Sequence, residues 1–467
     1  MPNTVAQNLQ RLVNAKNAIS EAITAKGGTV STGDGFEEFP ADIATIPSGG
    51  SGDASKPVRF IDYDGSIVAS YTPEEFAELT EMPANPSHEG LTAQGWNWTL
   101  SNAKQYVSNY GMLDIGQMYI TDDGRTRLYV RIREGRLTPV LLLSLNSNSS
   151  LDIDWGDNTS HSTFTSTSSG TYYTRHYYTS AGDYIISIGV TRGSFEFCSY
   201  SISSPMSSLL TNSSASLTSP DLTYLNSIRK IEIGDNVTRI LHAAFAKCTS
   251  LSQITIPNSV TDILDAAFKE CYSLSQIIIP SNITTIPTSA FANCRSLSKI
   301  SIPKSVAAIF GSAFSGCYSL SQITIPNGLS TINDSVFSGC YSLSQITIPS
   351  NITTIGASAF SSCYSLSQIT IPNGVTSIKQ STFYSCDSLS QITISRGVTS
   401  IEKRAFYCCY SLGYIKFASQ TPPTVSNSDA WSSIPTDCKI LVPRGSLGTY
   451  TSATNYPSSS TYTYKEY

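Results

Sequence analysis

The run Ala359-Phe360-Ser361-Ser362-Cys363-Tyr364-Ser365-Leu366-Ser367-Gln368-Ile369-Thr370-Ile371-Pro372-Asn373-Gly374-Val375-Thr376-Ser377-Ile378 is one statement of a phrase that the chain repeats. Phe245, Phe268, Phe291, Phe314, Phe337, Phe360, Phe383 and Phe406 stand 23 residues apart. Cys248, Cys271, Cys294, Cys317, Cys340, Cys363, Cys386 and Cys409 follow each of them by three. A fixed period in the twenties marks a solenoid, a stack of like coils of which none can bury its own apolar face. Leu366, Ile369 and Ile371 alternate with polar residues and predict a short strand that Pro372 ends. Val375 and Ile378 predict a second buried edge, and Ala359-Phe360 predicts a turn of helix whose Phe fills the coil. At a strand spacing of about 4.8 Å, the repeats stack into a rod roughly 40 Å long.

The phrase, read as Ala-Phe-x-x-Cys-x-Ser-Leu-x-x-Ile-x-Ile-Pro-x-x-Val-x-x-Ile, closely resembles the BspA-like leucine-rich repeats of bacterial surface adhesins. Leu222-Thr-Tyr-Leu225-Asn-Ser-Ile228-Arg-Lys-Ile231 is similar to a degenerate first coil, with Leu at both the Phe and Cys positions. Ala418-Ser-Gln-Thr421-Pro422-Pro423 and Cys438-Lys-Ile-Leu-Val442-Pro443, ahead of Tyr450, resemble that family's C-terminal cap. The expected fold is mainly β, with the solenoid over 206–417 and the cap over 418–467.

The 467 residues carry a net charge of −5 and only 13% charged residues, which argues against a nucleic-acid binder. No run of about 18 apolar residues is present to span a membrane. Met1-Pro2-Asn3-Thr4 opens without a basic start or an apolar stretch, so no secretory signal is expected. The 11 cysteines are an odd number, eight at one repeat position, which reads as a ladder of buried thiols rather than a disulfide framework or a zinc site.

Residues 4–26 predict a helix in which Val5, Leu9, Leu12, Lys16, Ile19 and Ile23 form the a/d seam of a coiled coil. Lys16 is the polar position that would fix register; the alternative is a helix packed on its own domain. The stretch from Val5 to Pro47, with Gly35-Phe36-Glu-Glu-Phe39-Pro40-Ala-Asp-Ile43, looks like the N-terminal helical module of phage and prophage tail-fibre proteins. That resemblance implies a module over 1–47 that attaches to other virion proteins and supports a homo-oligomer, a trimer being favoured. Residues 48–56 read as a flexible linker.

Residues 57–123 predict a small α/β domain: a strand, the Asp64-Gly65 hairpin turn and a second strand, then a helix capped by Thr72 with Pro73 and two acids in its first turn. Ser101 is expected to cap a second helix ending at Tyr110. His88, Glu89, Trp96 and Trp98 lie close in sequence, but a lone His is more often a turn or core residue. The segment looks similar to modules of gut-phage virion proteins. Residues 124–205 read as all-β; Asp152-Ile-Asp154-Trp155-Gly156-Asp157 and His176-Tyr-Tyr178, followed by Gly182-Asp-Tyr184, resemble a PKD-type β-sandwich. Asp154 and Asp157 read as turn caps before they read as cation ligands.

Two rows of the solenoid are candidates for binding. Outward strand positions repeat Gln253, Gln276, Lys299, Gln322, Gln345, Gln368 and Gln391, beside Thr255, Ser301, Thr324, Thr347, Thr370 and Thr393. Such a ladder either pairs with itself or meets a repetitive polar ligand. The residues after the Cys positions from Cys271 to Cys409, namely Tyr272, Arg295, Tyr318, Tyr341, Tyr364, Asp387 and Tyr410, have the composition of adaptable recognition surfaces. No catalytic constellation or cofactor motif is present, and the chain is expected not to be an enzyme. The function that these features imply is a structural phage virion protein, a tail fibre or appendage, extracellular after release. Its distal repeats would adhere to a host-surface glycan or protein. A virion decoration protein and a bacterial BspA-like surface adhesin are the alternatives.

Overall fold

The computed structural model describes residues 55–134, 140–198, 207–208 and 227–467. The expected helix with its Val5–Ile23 seam lies outside them, as do Leu222 and Leu225 of the degenerate first coil.

From residue 227 the chain winds as a solenoid with the expected 23-residue period. One face carries short strands such as Gln276–Ile278, Lys299–Ser301, Gln368–Thr370 and Gln391–Ile394. A second carries two-residue strands from Arg239–Ile240 to Ser400–Ile401. Where they pair, both ladders are parallel and join like with like, Gln368 with Gln391 and Ser377 with Ser400, the first ladder being interrupted at residues 321–326 and 344–349, which form no strand. Every Ile or Val that the phrase turns inward is buried except Ile348, which is half-buried, because only stacking removes that face from water.

The third side departs from the expected turn of helix. It is a run of turns in which the residues two before and two after each Phe adopt positive φ, as at Ser358 (55°) and Ser362 (58°). Alternate amides point forward to the next coil: Ser358, Phe360 and Ser362 donate to the carbonyls of Gln380, Thr382 and Tyr384 at 2.9, 3.0 and 2.7 Å. A helical turn would have spent those donors within one coil, whereas here they join neighbours. Gly316 and Gly339 take the left-handed position where other coils use Asn293, Ser362 or Ser385.

Inside, the Phe rings form one stacked row from Phe245 to Phe406 with centroids 5.5–5.9 Å apart, which Trp431 of the cap extends at 5.3 Å. Each ladder thiol from Cys271 to Cys409 donates to the carbonyl of the Phe one coil earlier, at 3.1–3.3 Å. The position therefore calls for a small apolar side chain with one weak donor, which Cys supplies. All eleven thiols are free.

Both ends of the stack are closed. Strands β5 (Thr126–Ile132), β7 (Ser150–Asp154), β8 (Ser162–Thr165) and β10 (Gly182–Arg192) form one sheet. Strands β6 (Val140–Leu145), β9 (Gly170–Arg175) and β11 (Phe195–Phe197) form the other. The first sheet continues through β5 onto Ile228–Glu232, and the second through β11 onto Arg239–Ile240. Sandwich and solenoid thus share one apolar core from Leu128 to Tyr450, and the first coil's open edge is hidden. At the other end Lys439–Val442 and Thr463–Glu466 add two more strands, and the buried Tyr450 donates to Ser419 O at 2.9 Å.

In the sandwich Trp155 is buried and stacks on His176 at 4.9 Å. A Cβ on Gly156 (φ 75°) would lie 2.5 Å from the carbonyl of Ile185, so the turn needs glycine. Asp154 accepts from the Gly156 amide at 2.9 Å, and Asp157 accepts from Thr159 N at 3.2 Å and faces His176 at 2.7 Å. Both carboxylates serve the turn.

Residues 57–121 make a separate unit with its own core of Phe60, Phe76, Trp98, Tyr106 and neighbours. Its sheet runs in the order β2 (Ile67–Tyr71), β1 (Val58–Ile61), β4 (Leu113–Thr121), β3 (Leu91–Trp96). Helices α1 (Pro73–Ala77) and α2 (Leu100–Tyr110) pack on it. Thr72 caps α1 as expected, and Glu75 completes a capping box, but Thr99 rather than Ser101 caps α2, receiving the amide of Asn102 at 3.3 Å.

Candidate binding surfaces

The sequence left the α/β unit without a task; the structure lays it across the strand face of the solenoid. Trp98 Nε1 donates to Ile302 O at 3.1 Å, and the Tyr106 hydroxyl donates to Ile325 O at 2.8 Å. Asn97 Nδ2 donates to Ser301 Oγ at 2.9 Å, and Ser301 Oγ donates to Asp114 O at 2.8 Å. The Gln276 amide donates to the carbonyl of Tyr63, and Lys299 Nζ donates to that of Gly65 at 2.8 Å. Arg59, held by Asp114 at 2.7 and 2.8 Å, donates to Gln322 Oε1 at 3.2 Å. Burial and the nearby Arg59 push the Lys299 ammonium below its ordinary pKa.

The outward ladder is therefore two surfaces. In the earlier coils Thr255, Gln276, Ser301 and Thr324 are buried, and Gln322 is half-buried under Arg59. In the later coils Gln345, Gln368, Thr370 and Thr393 are exposed. The sequence held a signal for this division. Where most Phe-bearing coils carry Thr or Ser, the Phe268 coil carries Ile278, and where most carry Gln, the Phe291 coil carries Lys299; both lie beneath the α/β unit. A Cβ on Gly116 of β4 would come within 2.6 Å of Ile278 Cγ2, so the close approach depends on glycine.

At the border of the covered half, Asn109 and Tyr110 at the end of α2 face Gln345, Thr347, Gln368 and Thr370 across an open groove of about 610 Å³. Gln368 accepts from Gln391 Nε2 at 3.3 Å, and the Tyr414 hydroxyl donates to Gln391 Oε1, so part of the ladder pairs with itself.

The second candidate row also assembles. The Arg295 guanidinium lies 4.4 Å from the centre of Tyr272 and 5.5 Å from that of Tyr318. Tyr318 stacks on Tyr341 at 4.3 Å and Tyr341 on Tyr364 at 4.7 Å. Five flat groups thus form one pile whose interior faces are consumed by one another, leaving edges and hydroxyls outward. Burial, then the adjacent Tyr318, holds the Tyr341 phenol above its ordinary range. Asp387 interrupts the row, its carboxyl pushed up by burial, and the exposed Tyr410 resumes it, with its hydroxyl on Cys408 Sγ at 3.0 Å.

His88 and Trp96, singled out by sequence, are engaged within the α/β unit. His88 Nε2 sits 2.7 Å from Asp62 and packs edge-on against Tyr63 and Tyr119; Trp96 Nε1 donates to Pro83 O at 2.9 Å. Among the described residues no group of His, Cys, Asp or Glu has the arrangement of a metal site, and no helix is long and apolar enough to cross a membrane.

Residues 221–340 and 307–428 match the family model of the BspA type leucine rich repeat region, in six copies. Among solved structures, a leucine rich repeat protein of T. pallidum is 29% identical, over 39% of this chain and 83% of its own, with a TM-score of 0.31. A leucine rich cell surface protein of Faecalibacterium prausnitzii is 24% identical over 48% and 81%, with a TM-score of 0.29. The pneumococcal vaccine antigen PcpA is 16% identical over 53% and 82%, with a TM-score of 0.30. No curated protein matches the chain.

Proposed function

We propose that this chain is a non-enzymatic adhesive protein of the BspA-like surface type, working outside the cell that makes it. Its solenoid would attach to a polymer on another surface. The observation that carries this reading is the run of BspA-type repeats over 221–428, its apolar core covered at both ends and its long side faces presented to solvent. The faces it presents are polar and hydrogen-bonding, suited to many weak contacts along a rod rather than to a reaction in a pocket. The test is adhesion of beads coated with the full chain to intact bacterial cells and to mucin-coated and matrix-coated surfaces. Saturable attachment blocked by soluble chain is expected; attachment no better than albumin-coated beads on every surface would overturn it.

A second reading places the same adhesive rod on a phage particle as a tail fibre or appendage. The specific observation favouring it is the sequence of 1–47, with its tail-fibre-like phrase and its seam from Val5 to Ile23. On this reading the module binds other virion proteins and trimerises the chain. Gold-labelled antibody against 227–467, viewed on purified particles from a lysate that contains the protein, decides between the two. Label on tails or capsids supports the appendage, and label confined to cell envelopes supports the surface adhesin.

A further inference from the structure

We propose that the groove between the end of α2 and the open strand face is a binding site for an extended, uncharged polysaccharide, built from Tyr110, Asn109, Gln345, Thr347, Gln368 and Thr370. This rests on the adhesive reading above and names where and what the solenoid binds.

The covered half of the same ladder shows what its side chains do when something lies on them. There the ladder gives hydrogen bonds to carbonyl oxygens: Gln276 to Tyr63, Lys299 to Gly65 and Ser301 to Asp114. The equivalent groups at Gln345, Thr347 and Thr370 are offered to the groove without a described partner. An amide both gives and accepts a hydrogen bond, and so does a hydroxyl, which is the complement of a sugar hydroxyl. Among the described residues no Asp, Glu, Lys, Arg or His lines the groove, so a charged ligand would lose hydration there and gain no counter-charge.

The wall supplies the apolar part. Tyr110, half-buried against Tyr106 at 4.5 Å, gives a held aromatic ring on which the C–H face of a sugar can pack. A few placed polar groups beside one apolar surface is the usual composition of a small-ligand site. The repeat sets the ligand's shape. From Gln368 through Gln391 to Tyr414 the positions pair coil to coil, about 4.8 Å apart, a spacing close to one sugar ring of an extended chain. A linear glycan entering at Tyr110 can therefore run on over the open coils toward the cap, one residue per coil.

The experiment uses the full chain against a printed array of linear oligosaccharides, neutral and charged, together with an array of unrelated peptides. The tightest glycan is then titrated by calorimetry against Tyr110→Ala, Gln345→Ala, Gln368→Ala and, as a control on the turn side outside both candidate rows, the exposed Lys403→Ala. Expected are neutral hits only, a loss of affinity of tenfold or more in Tyr110→Ala, several-fold losses in the two Gln variants, and no change in Lys403→Ala. Should Tyr110→Ala fail to fold, the exposed Gln345 and Gln368 variants still decide. Preference for charged glycans, for peptides, or for any probe whose binding the groove variants leave intact overturns this inference. Adhesion of coated beads with no glycan binding overturns it while leaving the adhesive function standing; absence of both removes the two together.

Discussion

The strand face from Gln253 to Thr324 and the one from Gln345 to Thr393 are spelled almost alike, yet one is an interior and the other a surface. The repeat fixes what a coil buries toward its own axis. It does not fix what lies on the coil's outside, which depends on a unit some two hundred residues earlier in the chain. Similar residues thus do different work: Gln276 closes an interface, and Gln345 faces a groove.

The core should be blind to that difference. Phe291 and Phe360 occupy the same place in one ring row, both fully buried, the first under the covered half and the second under the open half. Phe291→Ala and Phe360→Ala should each cost about 3–5 kcal/mol in chemical denaturation, because each leaves a ring-sized cavity between two neighbours. A loss in one half several kcal/mol smaller than in the other would break the claim that the stack is uniform.

The outer face should discriminate sharply. Trp98 fills the docked unit's core and donates to Ile302 O, so Trp98→Ala removes packing and leaves a buried carbonyl unbonded, together about 3 kcal/mol or more. Hydrogen exchange should then quicken in Gln276–Ile278 and Lys299–Ser301 while Gln368–Thr370 and Gln391–Ile394 keep their rates. Thr370→Ala on the open half should change stability by less than about 0.5 kcal/mol. Uniform exchange in both halves would mean that the α/β unit protects nothing.

How much of this was readable beforehand follows from the same contrast. The period, the inward Leu, Ile and Val, and the buried Phe and Cys ladders follow from the phrase, because alternation and repetition state which side is apolar. The turn chemistry beside each Phe did not follow, since Ala-Phe after a Ser fits a helical turn as well as left-handed positions at Ser358 and Ser362. The two rows after the Cys and along the strand were found as rows. The pile formed by Tyr272, Arg295, Tyr318, Tyr341 and Tyr364 was not, because stacking depends on ring orientation. The docking of 57–121 left two traces, Ile278 and Lys299, each a departure from a strict consensus. A departure becomes a contact only when its partner is known, and no local pattern pairs Gly116 with Ile278.

That pairing can be tested directly. Gly116→Ala should cost about 1–3 kcal/mol, because the new methyl meets Ile278 Cγ2 and Cγ1 at 2.6 and 2.8 Å. Ile278→Ala should itself be destabilising, but in the Gly116→Ala background it should be tolerated better, giving a coupling of about 0.5 kcal/mol or more. Thr347→Ala, at the equivalent repeat position of the open half, should show no coupling with Gly116→Ala. Additive costs at 116 and 278 would mean that the two surfaces do not touch.

The smallest effect concerns Lys299, which stands in the covered half where the open half has Gln368. Its ammonium is pushed below the ordinary Lys value of 10.5, chiefly by burial and then by Arg59. Between its folded pKa and 10.5 the unfolded chain binds more protons than the folded one, so in that window stability rises with pH. Thiols and phenols titrate in the same range and pull the other way, so the quantity to follow is the difference between wild type and Lys299→Gln. That difference should move in favour of wild type as pH rises toward 10.5, read as the shift in urea midpoint at matched ionic strength. Gln368→Lys places the same group on the exposed half, where water hydrates it, and its difference from wild type should stay level below 10. A slope for Gln368→Lys equal to that of Lys299 would show that the ammonium under the α/β unit is no more desolvated than one on the open face, and the two halves would then differ in contacts but not in dielectric surroundings.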